Sequence, residues 1–196
     1  MITLNLEIDG EARTFDLPES WNEVSVDTFS KIWGIDREAF TPIELTVESV
    51  SLMTGIDSDS LMMMTPVEFN KVAEIIEFTN KDVEGTNVDS ITVDGEEYFL
   101  YKDFNKLTMG EVISLEILME KADGKLMTVM PDMLCLFLRK KKENGKLESF
   151  KKSFMERAES FKKVSIADVN DIFLFFSNGG DSSISNMKES LENQSQ

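Results

Sequence analysis

Residues 91 to 101 read Ile-Thr-Val-Asp-Gly-Glu-Glu-Tyr-Phe-Leu-Tyr, two apolar-rich runs around a central Asp94-Gly95. Asp-Gly between such runs is the strongest short-range signal for a two-residue hairpin, because both turn residues need positive φ. With the turn at Asp94-Gly95, Ile91 falls opposite Tyr98 on one face of the ribbon. The chain continues through Lys102-Asp103-Phe104-Asn105-Lys106-Leu107 to Thr108, where Thr108 and Glu111 form a capping-box pattern at the head of a helix over Met109 to Leu118.

The same plan opens the chain. Ile8-Asp9-Gly10-Glu11 matches Val93-Asp94-Gly95-Glu96, and Trp21-Asn22-Glu23-Val24-Ser25 matches Phe104-Asn105-Lys106-Leu107-Thr108. A turn at Asp9-Gly10 sets Leu4 opposite Phe15 and Ile2 opposite Leu17, and Ser25 becomes the counterpart of the Thr108 cap. An isolated ribbon is marginal in water, so each hairpin must lay its apolar face on the helices that follow it. The expected fold is α+β and mostly helical: a tandem duplication of a β-hairpin followed by a small helical bundle. Residues 1-85 form the first unit, 86-178 the second, and 179-196 a polar tail too poor in apolar residues to offset the entropy of ordering.

Between the hairpins, Val26 to Trp33 reads as a short helix ended by Gly34. Thr41-Pro42-Ile43-Glu44 and Thr65-Pro66-Val67-Glu68 repeat one start signal: a cap, proline where its missing amide costs nothing, and an acid at the third helical position. The first of these helices carries Leu45, Val47, Val50 and Leu52 to a stop at Thr54-Gly55. Asp57 caps a short helix through Leu61 to Met64. The next places Phe69, Val72, Ala73, Ile76 and Phe78 on one side. Asn80 to Asp89, with Gly85, is the connection between units. In the second unit Val112, Leu115, Ile117 and Leu118 fill a helix stopping near Asp123-Gly124, and Pro131 opens another through Leu138. Lys140 to Lys146 reads as an exposed turn. Ser149 to Phe161 reads as a helix with Phe150, Phe154, Ala158 and Phe161 on one face, and Ser165 with Asp168 as the cap of a last helix carrying Val169, Ile172, Phe173 and Phe176.

Composition narrows the chemistry. The 196 residues carry a formal net charge of -17 and no histidine, which removes Ser-His and Cys-His pairs and His-based metal sites. No Walker loop, G-x-G-x-x-G or G-x-S-x-G is present, and Asp57-Ser58-Asp59 lacks the glycine and terminal glutamate of a calcium loop, so it reads as a cap. No catalytic residue, cofactor or metal is expected, and the chain reads as a non-enzyme. The single cysteine, Cys135, lies in Leu134-Cys135-Leu136-Phe137-Leu138 and reads as a small buried apolar residue. No apolar run approaches the roughly 20 residues a membrane span needs, and Met1-Ile2-Thr3 leads directly into strand pattern, which points to the cytoplasm. The acidity disfavours nonspecific attraction to nucleic acid or an anionic membrane. It also permits DNA mimicry, were the carboxylates to form a continuous track.

Two features suggest contact surfaces. Met62-Met63-Met64 cannot all point into one core from a helix, so at least one thioether must face outward, as a flexible binding surface would require. The charge is also uneven: residues 1 to 90 hold 5 Lys/Arg against 19 Asp/Glu, whereas Arg139 to Lys163 hold 10 against 4. Arg139, Lys140, Lys141 and Lys142 with Phe150 and Phe154 are therefore candidate partner-binding residues beside Met62, Met63 and Met64, while a solvated face is the plain alternative.

The succession of the first hairpin, Trp21-x-x-Val24-Ser25, Leu52-Met53-Thr54-Gly55-Ile56-Asp57, the second hairpin running to Lys102-Asp103-Phe104-Asn105-Lys106-Leu107-Thr108-x-Gly110-Glu111, and Glu156-Arg157-Ala158-Glu159-x-Phe161-Lys162 before Ile166-x-Asp168-Val169 resembles uncharacterised tailed-bacteriophage virion assembly proteins, some of them tail-assembly chaperone-like. The resemblance spans most of residues 1 to 177. It implies a protein-protein interaction factor in particle assembly, chaperone-like toward a tail component, with phage structural proteins as partners, self-association open, and a location in host cytoplasm or virion. The alternative within the resemblance is a structural component: a connector, ring or baseplate protein. A small enzyme or host-directed inhibitor is the reading from another class.

Overall fold

In the computed structural model, residues 1-8, 11-101, 103 and 106-177 are described, without the side chains of 173 and 175-177. The expected turn residues Asp9-Gly10, the Phe104-Asn105 match, the side chains of Phe173 and Phe176, and the polar tail lie outside them. The first ribbon pairs β1 (Ile2–Ile8) with β2 (Glu11–Leu17) in the expected register, Ile2 opposite Leu17 and Leu4 opposite Phe15. Ser25 then caps α1 (Val26–Gly34), accepting the Thr28 amide at 3.1 Å. Both Thr-Pro-x-Glu signals build complete capping boxes, at α2 (Pro42–Thr54) and α4 (Pro66–Ile75). Gly55 follows α2 at φ 73, a left-handed conformation that glycine adopts without steric cost. Asp57 caps α3 (Ser58–Met63), accepting the Ser60 amide at 2.8 Å and its hydroxyl at 2.7 Å.

The second ribbon pairs β3 (Ser90–Val93) with β4 (Glu96–Leu100), Ile91 opposite Tyr98, around a turn with φ 50 at Asp94 and 80 at Gly95. Thr108 and Glu111 make the capping box of α5 (Met109–Ala122), and α6 (Met130–Phe137) follows. Each half thus opens with a hairpin and then a capped helix, after which the two halves diverge. The fold is α+β and mostly helical, with a two-stranded and a three-stranded sheet.

The third strand of the second sheet departs from expectation. The helix opened by Pro131 ends at Phe137, and β5 (Leu138–Arg139) pairs antiparallel with β4, Arg139 opposite Phe99. Two further readings are corrected. The segment expected as a helix from 149 to 161 is a 3-10 helix, Lys152–Arg157, followed by the single turn α7 (Ala158–Phe161). At three residues per turn Phe154 and Arg157 eclipse, so the guanidinium lies 3.8 Å from the Phe154 ring centroid and reaches Glu148 at 2.6 Å. Ser165 acts one turn ahead of the last helix, α8 (Asn170–Ser177): its hydroxyl accepts the Ala167 amide at 3.2 Å, at the start of the 3-10 turn Ala167–Val169 that leads into it. The Ser165 hydroxyl donates to the Trp21 carbonyl at 3.2 Å, and Asp168 accepts from the Thr86 hydroxyl at 2.8 Å. Both side chains tie the last segment to earlier parts of the chain. Within α5, Ile117 is 60% exposed, so the inner face is Val112, Leu115, Leu118 and Ala122. Met53, rather than Leu52, takes the deepest position at the end of α2.

The core centres on α6, in which Met130, Met133, Leu134, Cys135, Leu136 and Phe137 are all buried. A helix that is apolar on every side needs neighbours on every side, and α1, α5, α7 and the Lys152–Arg157 turn pack around it. The halves share this core and are joined by main-chain bonds, Val26 N–H to Val164 C=O at 2.8 Å and Ile166 N–H to Val24 C=O at 2.9 Å.

One buried ion pair pins the second half. Arg139 is 1% exposed; its guanidinium donates to Glu111 Oε1 and, at 2.9 Å, to the Cys135 carbonyl. Glu111 Oε2 meanwhile accepts the Thr108 amide and hydroxyl, both at 2.6 Å. Desolvation lowers the Arg139 pKa, and the Glu111 carboxylate opposes that shift. An arginine in this setting stays charged. Arg139→Met leaves the Glu111 carboxylate buried without its counter-charge and is expected to cost about 3 to 5 kcal/mol. Adding Glu111→Gln, which keeps an acceptor for the cap, should recover a large part of that loss in urea titrations.

The exposed caps predict an acid limb. Hydrogen bonds from the Thr41 amide and hydroxyl hold Glu44 below its ordinary value of 4.5, and the Thr65 hydroxyl and amide do the same for Glu68. A depressed carboxyl contributes stability that is fully present above its unfolded value and is lost as pH falls through the lower folded value. Stability followed by urea midpoint should therefore decline as pH drops below about 4.5, and Thr41→Ala/Thr65→Ala should shallow that decline.

Candidate functional site

The candidate contact residues separate cleanly by burial. Met62 and Met63, at the end of α3, are 57% and 72% exposed, and Val67 at the start of α4 is exposed beside them in sequence; Met64 turns inward and packs on the core. Thus the three-methionine run does place thioethers in solvent.

The basic run does not form the expected open patch. Arg139 and Phe154 are core residues, and Phe150 is half-buried against the core. The Arg139 guanidinium lies 5.4 and 5.5 Å from the Phe150 and Phe154 ring centroids, so both phenylalanines line its cage rather than a docking face. Lys140 pairs with Glu96 at 3.1 Å, a hydrogen bond that raises its pKa. Lys141 sits 3.6 Å over the Phe99 ring, Arg157 pairs with Glu148, and Lys163 pairs with Asp94 at 3.3 Å. Burial works to raise the Glu148 pKa, but hydrogen bonds from Arg157 and the Lys140 amide bring it below its ordinary value. Among the described residues, Lys142, Lys146, Lys151 and Lys152 make no ion pair; with Lys141 and Lys163 they are the exposed part of the segment.

A larger concavity lies elsewhere, between the halves. It is a groove of about 1140 Å³ bounded by α1, the end of α2, the turn after α5 and Leu174 of α8. One side is aromatic, with Trp33 exposed and Phe29 buried behind it. Phe29 and Trp33, one helical turn apart on α1, stack with centroids 5.5 Å apart; Trp21 meets Phe29 edge-on at 5.7 Å and Phe78 at 5.3 Å. The Trp21 indole N–H donates to the Lys81 carbonyl at 3.1 Å, so its polar tip is satisfied while its rings remain available to the groove. Arg37, Lys81 and Asp82 stand in the same lining. In the sequence Trp21 serves as a marker of duplication and of the resemblance, and Phe29 and Trp33 go unremarked as a pair; their spacing of four on a capped helix is the available signal.

Cys135 is no part of either surface. It is fully buried, and desolvation first, then the nearby Asp132 charge, pushes its thiol up to about 12. The native thiol should thus resist disulfide-exchange reagents at pH 8 and react at once on unfolding in urea. The raised value also has a sign: its stabilising effect is complete below the unfolded thiol value of about 9 and fades as pH climbs toward 12.

Among the described residues no helix is long and apolar enough to cross a membrane. The chain matches no protein-family model, no curated protein and no solved structure.

Proposed function

We propose that this chain is a non-enzymatic protein-protein interaction factor in the assembly of a tailed-phage particle, acting as a chaperone toward an apolar segment of a tail component in the host cytoplasm. The observation that carries the reading is the aromatic groove between the halves, read together with the resemblance of the sequence. A concave lining that sets apolar side chains such as Ile32, Trp33 and Leu126 beside polar ones such as Arg37, Asn80 and Asp82 is a usual form of binding site. The solvent-facing thioethers of Met62 and Met63 add a second, adaptable apolar surface of the kind suited to partners of variable shape.

A structural role in the virion is the second reading, and one feature favours it. Met109, Ile113 and Ile117 are exposed at intervals of four along α5, an apolar stripe on the face opposite the core. Such a stripe suits permanent helix packing better than transient capture.

Quantitative mass spectrometry of purified virions against infected-cell lysate separates the two. Abundance in lysate with absence from particles is expected for the chaperone; recovery in particles at a fixed ratio to a tail protein would sink that role. Met62→Ser/Met63→Ser/Val67→Ser tests the surface itself. Folding stability is expected to stay within about 0.5 kcal/mol because the side chains are exposed. Suppression of tail-protein aggregation should fall at least severalfold, and unchanged suppression would remove this surface from the site.

A further inference from the structure

The second sheet has order β3-β4-β5, so β3 is an outer strand. Pairs in an antiparallel ladder alternate between hydrogen-bonded and non-bonded, and the pair flanking a two-residue turn is bonded. Val93 opposite Glu96 and Ile91 opposite Tyr98 therefore direct their N–H and C=O groups at β4. The Leu100 amide donates to the Asp89 carbonyl at 3.2 Å, which continues the alternation. Ser90 and Thr92 must then turn their N–H and C=O groups to the outer edge. Among the described residues these groups make no main-chain hydrogen bond.

Beside this edge runs a slot of about 580 Å³ whose opposite wall is Lys163, Val164, Ser165 and Asp168. That wall is fixed from behind, since Val164 and Ile166 are bonded to Val26 and Val24. The slot is bordered at the hairpin end by the exposed Lys163–Asp94 pair and at the other by the Thr86–Asp168 hydrogen bond. The Ser160 hydroxyl and the Lys163 ammonium hold the Asp94 carboxyl below its ordinary range. Two carboxylates against one ammonium give the slot a negative balance.

We propose that the outer edge of β3 is a strand-docking site that takes an extended, lysine- or arginine-flanked segment of a partner protein. The geometry specifies the occupant. Two outward N–H and two outward C=O groups at alternate residues are met by one extended backbone and by no helix. Val88 supplies apolar contact for its side chains, and the two carboxylates Asp168 and Asp94, in excess over the one ammonium of Lys163 that pairs with Asp94, favour cations at its ends. This deepens the assembly reading, on which it rests for the partner's identity, by giving the client its conformation and charge.

The test uses the purified full chain and a fluorescein-labelled peptide of sequence Lys-Val-Thr-Val-Thr-Val-Lys, followed by anisotropy. Saturable binding is expected, weakened at least tenfold when alternate amides of the peptide are N-methylated or when glutamate replaces its terminal lysines. Thr92→Pro removes an outward N–H and leaves the ladder to β4 intact, because proline is accepted at such edge positions; it should also weaken binding at least tenfold. Lys163→Gln, an exposed change outside the ladder, should tighten binding by removing the repelling cation, and it keeps the proposal testable should the proline variant unfold. Absence of binding, or equal binding of the N-methylated peptide, would overturn the edge site. Concentration-dependent self-association of the wild type that Thr92→Pro abolishes would overturn it in favour of a second copy as occupant. Virion composition does not enter the peptide measurement, so failure here leaves the assembly role standing, and failure there leaves the edge.

Discussion

Two charges placed where water cannot reach them fix the start of α5 against the end of α6. A buried carboxylate or guanidinium is tolerated only when its partner and its remaining hydrogen-bonding groups are all satisfied. Glu111 meets that condition by dividing its oxygens, one to Arg139 and the other to the Thr108 cap. Arg139 divides its nitrogens between Glu111 and the Cys135 carbonyl at the end of α6. A cap that in α2 and α4 is a local, exposed device becomes in α5 a long-range joint. Moving α5 relative to α6 would strand a charge, so the start of one helix and the end of the other are fixed together.

The same pair takes Arg139 out of the basic surface formed by the segment from Arg139 to Lys163. Once Arg139 is internal, the rings of Phe150 and Phe154 are drawn in around it, and the Lys152–Arg157 turn must wind tightly enough to keep Phe154 and Arg157 in line. Arg157 then needs its own counter-charge, which Glu148 provides while also accepting the Lys140 amide. Packing thus removes Arg139 and shields Arg157, while Lys141, Lys142, Lys146, Lys151, Lys152 and Lys163 remain exposed.

What could be read from sequence was what local chemistry decides. The Asp-Gly ribbon at Val93-Asp94-Gly95-Glu96, the four capped starts at Ser25, Thr41, Thr65 and Thr108, and the Asp57 cap all follow from groups within a few residues of one another. The misreadings share the opposite property. A strand of two residues has no periodicity, and β5 exists because β4 lies beside it. Arg139 looked like one more member of a basic turn because the carboxylate that buries it is 28 positions away. Ser165 accepts the Ala167 amide locally, yet its hydroxyl also donates to the Trp21 carbonyl, 144 positions earlier. The aromatic groove was hidden for a like reason: α1, α2, the turn after α5 and α8 contribute to it from both halves.

The two ribbons begin from the same turn code and end in different circumstances. The first is a ribbon of two strands. The second gains β5 on the β4 side, where Arg139 lies opposite Phe99 and Leu138 opposite Leu100. An unpaired edge is a hazard as well as an opportunity, since it invites any extended chain. By pulling β5 into register, the buried Glu111–Arg139 pair covers the β4 edge and leaves β3 as the side of this ribbon that a strand can join. The slot between β3 and Lys163–Ser165 then limits access to that side. Recognition at the edge is in this way a consequence of burial in the core: the interaction that holds α5 to α6 also determines which strand is offered outward.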